Sequence, residues 1–252
     1  MTEDTQALIG VDWGTSRFRA FLLDGDGRAL ARLASDQGLL STDEGQWEAC
    51  LRDHIGPWLE RWTGLPVLMC GMVGSAQGWA DAGYVPCPAS SRDLADSLRQ
   101  VSPASGRRMA IVPGVKGPSL GGSTDLMRGE ETQLVGLSTE PDESGLACLP
   151  GTHTKWVTVE AGRPTSVTTQ MSGELFGLLR DRSIVGRVLG SDAWNEEAFL
   201  AGFETATRPG GLAHQLFGAR VRGLLGGDHG HSYLSGVLLG SEMNAMREEI
   251  HE

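Results

Sequence analysis

Two short stretches of this chain are built on one plan, and that repetition narrows the fold more than any other feature. The first is Val11-Asp12-Trp13-Gly14-Thr15-Ser16-Arg17-Phe18; the second is Leu149-Pro150-Gly151-Thr152-His153-Thr154-Lys155-Trp156. Each runs from an apolar strand pattern into Gly-Thr, crosses a hydroxyl-bearing turn, and restarts on a basic and an aromatic residue. Both return segments end in a glycine-containing turn, Asp24-Gly25-Asp26-Gly27 and Ala161-Gly162-Arg163-Pro164. Self-similarity at this distance predicts two halves of like design. A tight turn of this kind aims backbone N–H groups at an anion. Its glycine lets a ligand come close, and the hydroxyls of Thr15, Ser16, Thr152 and Thr154 add donors. Ordinary hairpins use Gly-Thr as well, so one such turn alone carries little. Two matched turns, the first led by an acid, point to a clamp on the β- and γ-phosphates of a nucleotide. Asp12, at the end of its strand, is placed to hold Mg²⁺ directly or through water. Arg17 and Lys155 are candidates for neutralising the transferring phosphoryl group, with His153 as a further donor. No Gly-x₄-Gly-Lys-Ser/Thr or Gly-x-Gly-x-x-Gly pattern follows a strand, so neither a P-loop nor a dinucleotide fingerprint is supported.

The bulk properties agree with a small-molecule enzyme. The 252 residues, 40% hydrophobic, suffice for one large domain or two modest ones. A charged fraction of 21% and 36 glycines favour a loop-rich enzyme fold over a coiled coil. The net charge of −11 weighs against nucleic acid and against an anionic membrane as partners. It also means that an anionic substrate needs locally placed cations or Mg²⁺. Cys50, Cys70, Cys87 and Cys148 are scattered among apolar or small residues, as expected of reduced core cysteines in a cytoplasmic protein. Met1 to Ala7 has neither a basic nor an apolar leader, and no 18 apolar residues run together.

Periodicity predicts strands over 7–13, 17–23 and 28–34. A helix over 46–62 is interrupted near Pro57, and a strand over 67–70 runs into the glycine-rich loop 71–78. A serine-capped helix over 91–100 follows, then a strand over 109–112 and a loop over 113–123. Asp125 is placed to N-cap a helix reaching Leu137. The polar segment Glu140 to Gly145 is the expected boundary between residues 1–140 and 145–252. Beyond it come strands over 146–149 and 155–159, then helices over 174–180, 193–206, 212–225 and 232–250.

Ordered pieces along nearly the whole chain carry a resemblance. They are Ile9-Gly10-Val11-Asp12-Trp13-Gly14-Thr15-Ser16, Cys70-Gly71-Met72-Val73-Gly74-Ser75 with Trp79, Met127-Arg128-Gly129-Glu130-Glu131-Thr132-Gln133, the stretch from Leu149 to Val157, and Met171-Ser172-Gly173-Glu174-Leu175. Together they resemble the 2-keto-3-deoxygalactonokinase family of the actin-like ATPase and sugar-kinase superfamily. The resemblance implies an α/β, ribonuclease H-like duplicated fold with two lobes around a nucleotide cleft. It implies ATP- and Mg²⁺-dependent phosphorylation of the 6-hydroxyl of 2-dehydro-3-deoxygalactonate in galactonate breakdown. Against the family's pattern, the chain stops at Glu252 inside or just after the helix from Tyr233 to Met246. The expectation is a shortened second lobe, an incomplete adenosine pocket and weakened ATP binding. Two alternatives stay open: a kinase for another sugar or sugar acid, and a catalytically impaired sugar-acid-binding protein. A homo-oligomer is also left open.

Roles follow with alternatives attached. A sugar kinase needs a carboxylate beside the acceptor hydroxyl. The superfamily places it late in the first lobe, where Asp125, Glu130 and Glu131 stand. Asp125 serves equally as a helix cap, and Glu130 or Glu131 as a surface charge or Mg²⁺ contact. A substrate carboxylate calls for a cation, and Arg128 is the first candidate, with a salt bridge to Glu130 or Glu131 as its bland reading. Gly71, Gly74 and Ser75 follow a strand's C-terminal end, where open α/β sheets bind ligands. Trp79 either stacks on the substrate or fills the core. Asp228, His229 and His231 look like a solvated loop rather than a metal site.

Overall fold

The computed structural model describes residues 6–137 and 144–251. By its contacts the chain divides into two compact units, Met1–Gly145 with Val157–Thr168, and Leu146–Trp156 with Thr169–Glu252. The fold is α/β with mixed sheets.

The first unit is organised by a six-stranded sheet. Its strands are β1 (Gln6–Trp13), β2 (Phe18–Asp24), β3 (Ala29–Ser35), β4 (Val67–Cys70), β6 (Arg99–Val101) and β7 (Met109–Ile111), in the order β3-β2-β1-β4-β7-β6. β1, β2 and β3 form an antiparallel meander, whereas β1, β4 and β7 run parallel. Strand periodicity decides what β1 presents. Ile9, Val11 and Trp13 are buried on one face, so Asp12 projects from the other at the strand's last turn. Trp13 packs edge-on to Phe18 and Trp47. Helix α1 (Trp47–Arg61) adds Trp47, Leu51 and Ile55 to the same core cluster. The helix loses its regular backbone at Ile55, two residues before Pro57, as a mid-helix proline requires. Arg107 closes the helix's end by donating to the carbonyls of Leu59, Trp62 and Leu65.

A second sheet has the order β5-β8-β9, from β5 (Tyr84–Pro86), β8 (Gly114–Pro118) and β9 (Thr124–Met127). Three expectations change here. The helix α2 is shorter than predicted, Ser91–Asp96, and residues 99–101 are strand β6. Its cap is Ser90, in a reciprocal capping box with Asp93. The expected loop over 113–123 contains β8, which pairs with β5 and β9. A Cβ at Gly117 would lie 2.6 Å from the Cys87 sulfur, so close packing rather than strand propensity explains this glycine. Asp125 caps no helix. It lies in β9 opposite Gly117, and α3 (Glu130–Leu137) starts only after Gly129, whose φ of +107° breaks the chain direction.

A third sheet has the order β10 (Gly145–Leu149), β11 (Thr154–Glu160), β12 (Arg163–Gln170). Ala161 and Gly162 both have positive φ, the backbone that a two-residue hairpin turn demands. Of the expected boundary over 140–145, residues 140–143 lie outside the described residues. The second unit is helical beyond residue 170, with α4 (Ser172–Arg182), α5 (Glu196–Thr205), α6 (Gly211–Leu224), α7 (Gly230–Ala245) and α8 (Arg247–His251). Gly202, Gly236 and Gly240 let α5 and α7 meet backbone to backbone: a Cβ on Gly236 would fall 2.0 Å from the Phe199 carbonyl oxygen. The four cysteines are free thiols, and Cys148 is exposed, unlike the expected core residue. The alternating face of β10 turns it outward while Leu149 is buried.

Candidate active site

The first phosphate turn is held from inside the chain. The Gly14 N–H donates to the Arg17 carbonyl at 2.9 Å, closing a turn that leaves Thr15, Ser16 and Arg17 exposed. Behind it, Leu39 and Leu40 donate backbone N–H groups to the carbonyls of Gly14 and Thr15. Gly38 makes that backing possible, since a Cβ there would sit 2.4 Å from the Ser16 backbone. Gly14 itself is different. Its φ is ordinary, and the nearest atom to an added Cβ is the Arg17 carbonyl oxygen at 3.5 Å.

Asp12 stands opposite Arg19 on β2 and Cys70 on β4. The Arg19 guanidinium reaches its carboxylate at 2.9 Å. Arg17, the expected cation, is exposed and pairs with Asp36 at 3.8 Å. The hairpin register was the missing signal: a turn closed between Gly14 and Arg17 puts residue 19, not 17, across from residue 12.

Two further segments of the first unit converge beside Asp12. Gly71 has a φ of +90°, and a Cβ there would meet the Trp13 carbonyl oxygen at 2.8 Å and the Asp12 carboxylate at 3.4 Å. A Cβ on Gly129 would in turn meet the Gly71 Cα at 3.3 Å. The loop 71–79 and the segment 128–131 therefore touch, and Cys70 feels all the nearby acids. Its thiol is pushed well up by burial first, then by Asp12 and Glu131.

Arg128 reaches the loop, where Nη2 lies 4.0 Å from the Asp81 carboxylate. The Arg128 side chain is only 5% exposed. Nη2 donates to the Gly83 carbonyl at 3.0 Å, and the guanidinium carbon lies 4.3 Å from the centre of the Tyr84 ring. Nη1 lies 3.0 Å from where a Gly74 Cβ would be. Among the described residues, buried Nε and Nη1 have no hydrogen-bond partner, and neither does the buried Ser75 hydroxyl. Tyr84 had no sequence signal beyond its place after Gly83. Trp79 is half-buried against the main core.

Glu131 is buried, and its carboxylate accepts from the Gly129 N–H at 2.7 Å and the Thr132 hydroxyl at 3.1 Å. Burial raises its carboxyl to about 7 against those hydrogen bonds. Glu130 accepts from the Arg128 N–H at 3.0 Å. Asp125 accepts from the N–H of Leu126 at 2.6 Å.

In the second unit, Gly151, Thr152 and His153 are exposed, whereas Thr154 and Lys155 are buried. Lys155 Nζ lies 3.5 Å from the His153 carbonyl. His153 Nε2 pairs with Glu174 at 2.6 Å, and the Glu174 N–H donates to the Thr152 carbonyl. A cavity of about 220 Å³ opens beside this turn, lined by Gly151, Thr154, Ser172, Gly173, Phe176 and the α7 face through Leu238. No group of three or more His, Cys, Asp or Glu residues able to hold a metal occurs among the described residues. Nor is any helix there long and apolar enough to cross a membrane.

Fold and site define a class: an α/β protein of mixed sheets with an Asp-led Gly-Thr hairpin and a loop-bound, half-partnered arginine. Residues 12–252 match the family described as 2-keto-3-deoxy-galactonokinase. The 2-dehydro-3-deoxygalactonokinase of Escherichia coli (strain K12) is 35% identical over 249 residues, covering 98% of this chain and 82% of that protein. A relative from Rhizobium meliloti (strain 1021) with the same enzyme name is 34% identical over 242 residues, covering 92% and 78%. A crystal structure from Sinorhizobium meliloti, assigned to the same enzyme, superposes with a TM-score of 0.82 at 32% identity, covering 95% and 82%. This chain belongs to the 2-keto-3-deoxy-galactonokinase family.

Proposed function

We propose that this chain transfers the γ-phosphoryl group of ATP to the 6-hydroxyl of 2-dehydro-3-deoxy-D-galactonate. In that step the new O6–P bond forms as the bond from the γ-phosphorus to the β,γ-bridging oxygen breaks. The hydroxyl proton passes to a carboxylate, and ADP leaves. Family membership supports the reaction. The observation that carries the substrate class is the half-partnered guanidinium of Arg128 with the unpartnered Ser75 hydroxyl close by in the same loop. A buried guanidinium left with free N–H donors is costly unless a ligand supplies acceptors, and a planar carboxylate matches its fork.

The turns at Gly14, Thr15, Ser16 and Arg17, and at Gly151, Thr152, His153, Thr154 and Lys155, are assigned to the ATP phosphates. Gly14 supports this, because the chain itself leaves room for a Cβ there and close approach of a ligand is what a glycine would serve. Asp12 fits Mg²⁺, which is bound by one or two carboxylates plus phosphate oxygens. Mg²⁺ supplies charge neutralisation for the polyphosphate. Arg19 meanwhile holds the Asp12 carboxylate in place. Of the three candidate bases, Glu130 and Glu131 begin α3 within the converging segments. Glu131 has the carboxyl poised near neutral pH, which suits proton acceptance. On this reading the chain is of the actin-like ATPase type, with the two turns as equivalent parts of duplicated halves.

The test is steady-state kinetics on Arg128→Ala. The Michaelis constant for the sugar acid rises by about tenfold or more while that for ATP changes little, as the loss of a charge-assisted pair predicts. Equal rises for both substrates, or faster turnover of an uncharged hexose by the parent, would refute the assignment.

A further inference from the structure

Among its described residues the second unit holds one buried carboxylate to which the phosphoryl-transfer reading gives no part. Glu242 is the one acid of α7 and is 5% exposed. Both oxygens are engaged. Oε1 accepts from the Trp156 indole N–H at 2.8 Å, and Oε2 accepts from the Ser172 hydroxyl. A carboxylate buried on neutral donors is expensive, and an apolar side chain would pack a helix at lower cost.

Its two partners flank the turn assigned to phosphate. Trp156 lies two residues past Thr154 on β11, and Ser172 is the first residue of α4. The start of α4 is pressed onto that turn. A Cβ on Gly173 would fall 2.4 Å from the Gly151 carbonyl oxygen and 3.0 Å from Thr152. The Glu174 N–H bonds the Thr152 carbonyl at 2.9 Å, and its carboxylate holds His153. Leu238 and Ser235, one and two turns before Glu242 on the same face of α7, line the cavity beside the turn. Glu242 thus ties together the strand leaving the turn, the helix resting on it and the cavity wall.

We propose that Glu242 is a positioning residue for nucleotide binding: through Trp156 and Ser172 it fixes the direction in which the backbone N–H groups of Gly151 to Thr154 point. It touches no reacting atom. This inference rests on the assignment of that turn to ATP. Displaced by a fraction of an ångström, the turn would still fold but would meet the phosphates poorly.

The experiment uses the full chain, with Glu242→Leu, Glu242→Gln and Ser172→Ala compared with the parent. The Mg·ATP dissociation constant is read by calorimetry and both Michaelis constants by ADP release. Leu removes both acceptors. ATP affinity is expected to fall about tenfold or more, and the sugar-acid Michaelis constant to stay within about twofold. Gln keeps the shape, accepts from Trp156 and donates to Ser172, so it restores ATP affinity to within about threefold. Ser172→Ala, which deletes one small hydroxyl, keeps the readout available should the Leu variant fail to fold, and it shifts ATP binding in the same sense. Unchanged ATP affinity in Ser172→Ala, or equal losses for both substrates, overturns the role of Glu242 alone. A parent that neither binds nor turns over ATP overturns the kinase reading and this inference with it.

Discussion

The Arg128 guanidinium offers five N–H donors in a rigid fork, and among the described residues only Nη2 of its three nitrogens finds an acceptor. Lysine cannot reproduce a fork, so Arg128→Lys should recover little of what Arg128→Ala loses for the sugar acid. Recovery to the parent's Michaelis constant would mean a point charge is enough. Glu131 makes a second residue-level prediction. Its folded value of about 7 lies above the ordinary 4.5, so its contribution to stability is fully present below about pH 4.5 and is lost as pH rises through 7. The loss is on the order of 3 kcal/mol. Denaturant midpoints at pH 5 and pH 8 should therefore differ less in Glu131→Gln than in the parent. Parallel behaviour of the two proteins would show that Glu131 does not titrate there. The chemistry of both residues was readable from sequence, since an arginine and paired acids sit in one short run. Burial was not. It depends on Gly83, Tyr84 and Gly71, which come from distant points in the chain and show no periodicity.

Among elements, the glycines separate into two kinds. Gly38 and Gly173 are demanded by the chain, because a Cβ would strike backbone at 2.4 Å in each case. Gly14 is not. Gly14→Ala is expected to leave thermal stability unchanged or slightly higher, by up to about 1 kcal/mol through the unfolded chain. It should still raise the Michaelis constant for ATP. Gly173→Ala should lower the melting temperature and ATP affinity together. If Gly14→Ala bound ATP like the parent, the phosphate assignment of the first turn would fail. β1, β2, β4 and the hairpins were legible because their apolar alternation and turn residues are local signals. β8 was not, since Gly117 and Pro118 oppose strand formation and only pairing with β5 and β9 imposes it. The helix expected from Asp125 failed for a related reason: pairing with β8 makes residues 124–127 the strand β9 before Gly129 turns the chain into α3.

Across the whole molecule, a chain of net charge −11 that handles a sugar acid and a nucleotide must concentrate its cations at the ligands. Arg19, Arg128 and Lys155 are each half-buried or buried in the two assigned regions, which shields them from the acidic surface. Raised ionic strength should accordingly weaken the binding of both anionic substrates only modestly. The repeated Gly-Thr hairpin was the most informative sequence feature. The tie from Glu242 to the second hairpin had only a faint signal, one acid in a helix whose other residues are apolar, small, hydroxyl-bearing, histidine or asparagine. The most direct measurement is ADP release on mixing the parent chain with Mg·ATP and 2-dehydro-3-deoxy-D-galactonate, alongside Asp12→Ala. The account predicts ADP formed one-for-one with a 6-phosphorylated sugar acid, and turnover reduced at least about a hundredfold in the variant while sugar-acid binding persists. ADP formation independent of the sugar acid, or an Asp12→Ala variant within a few-fold of the parent, would contradict it.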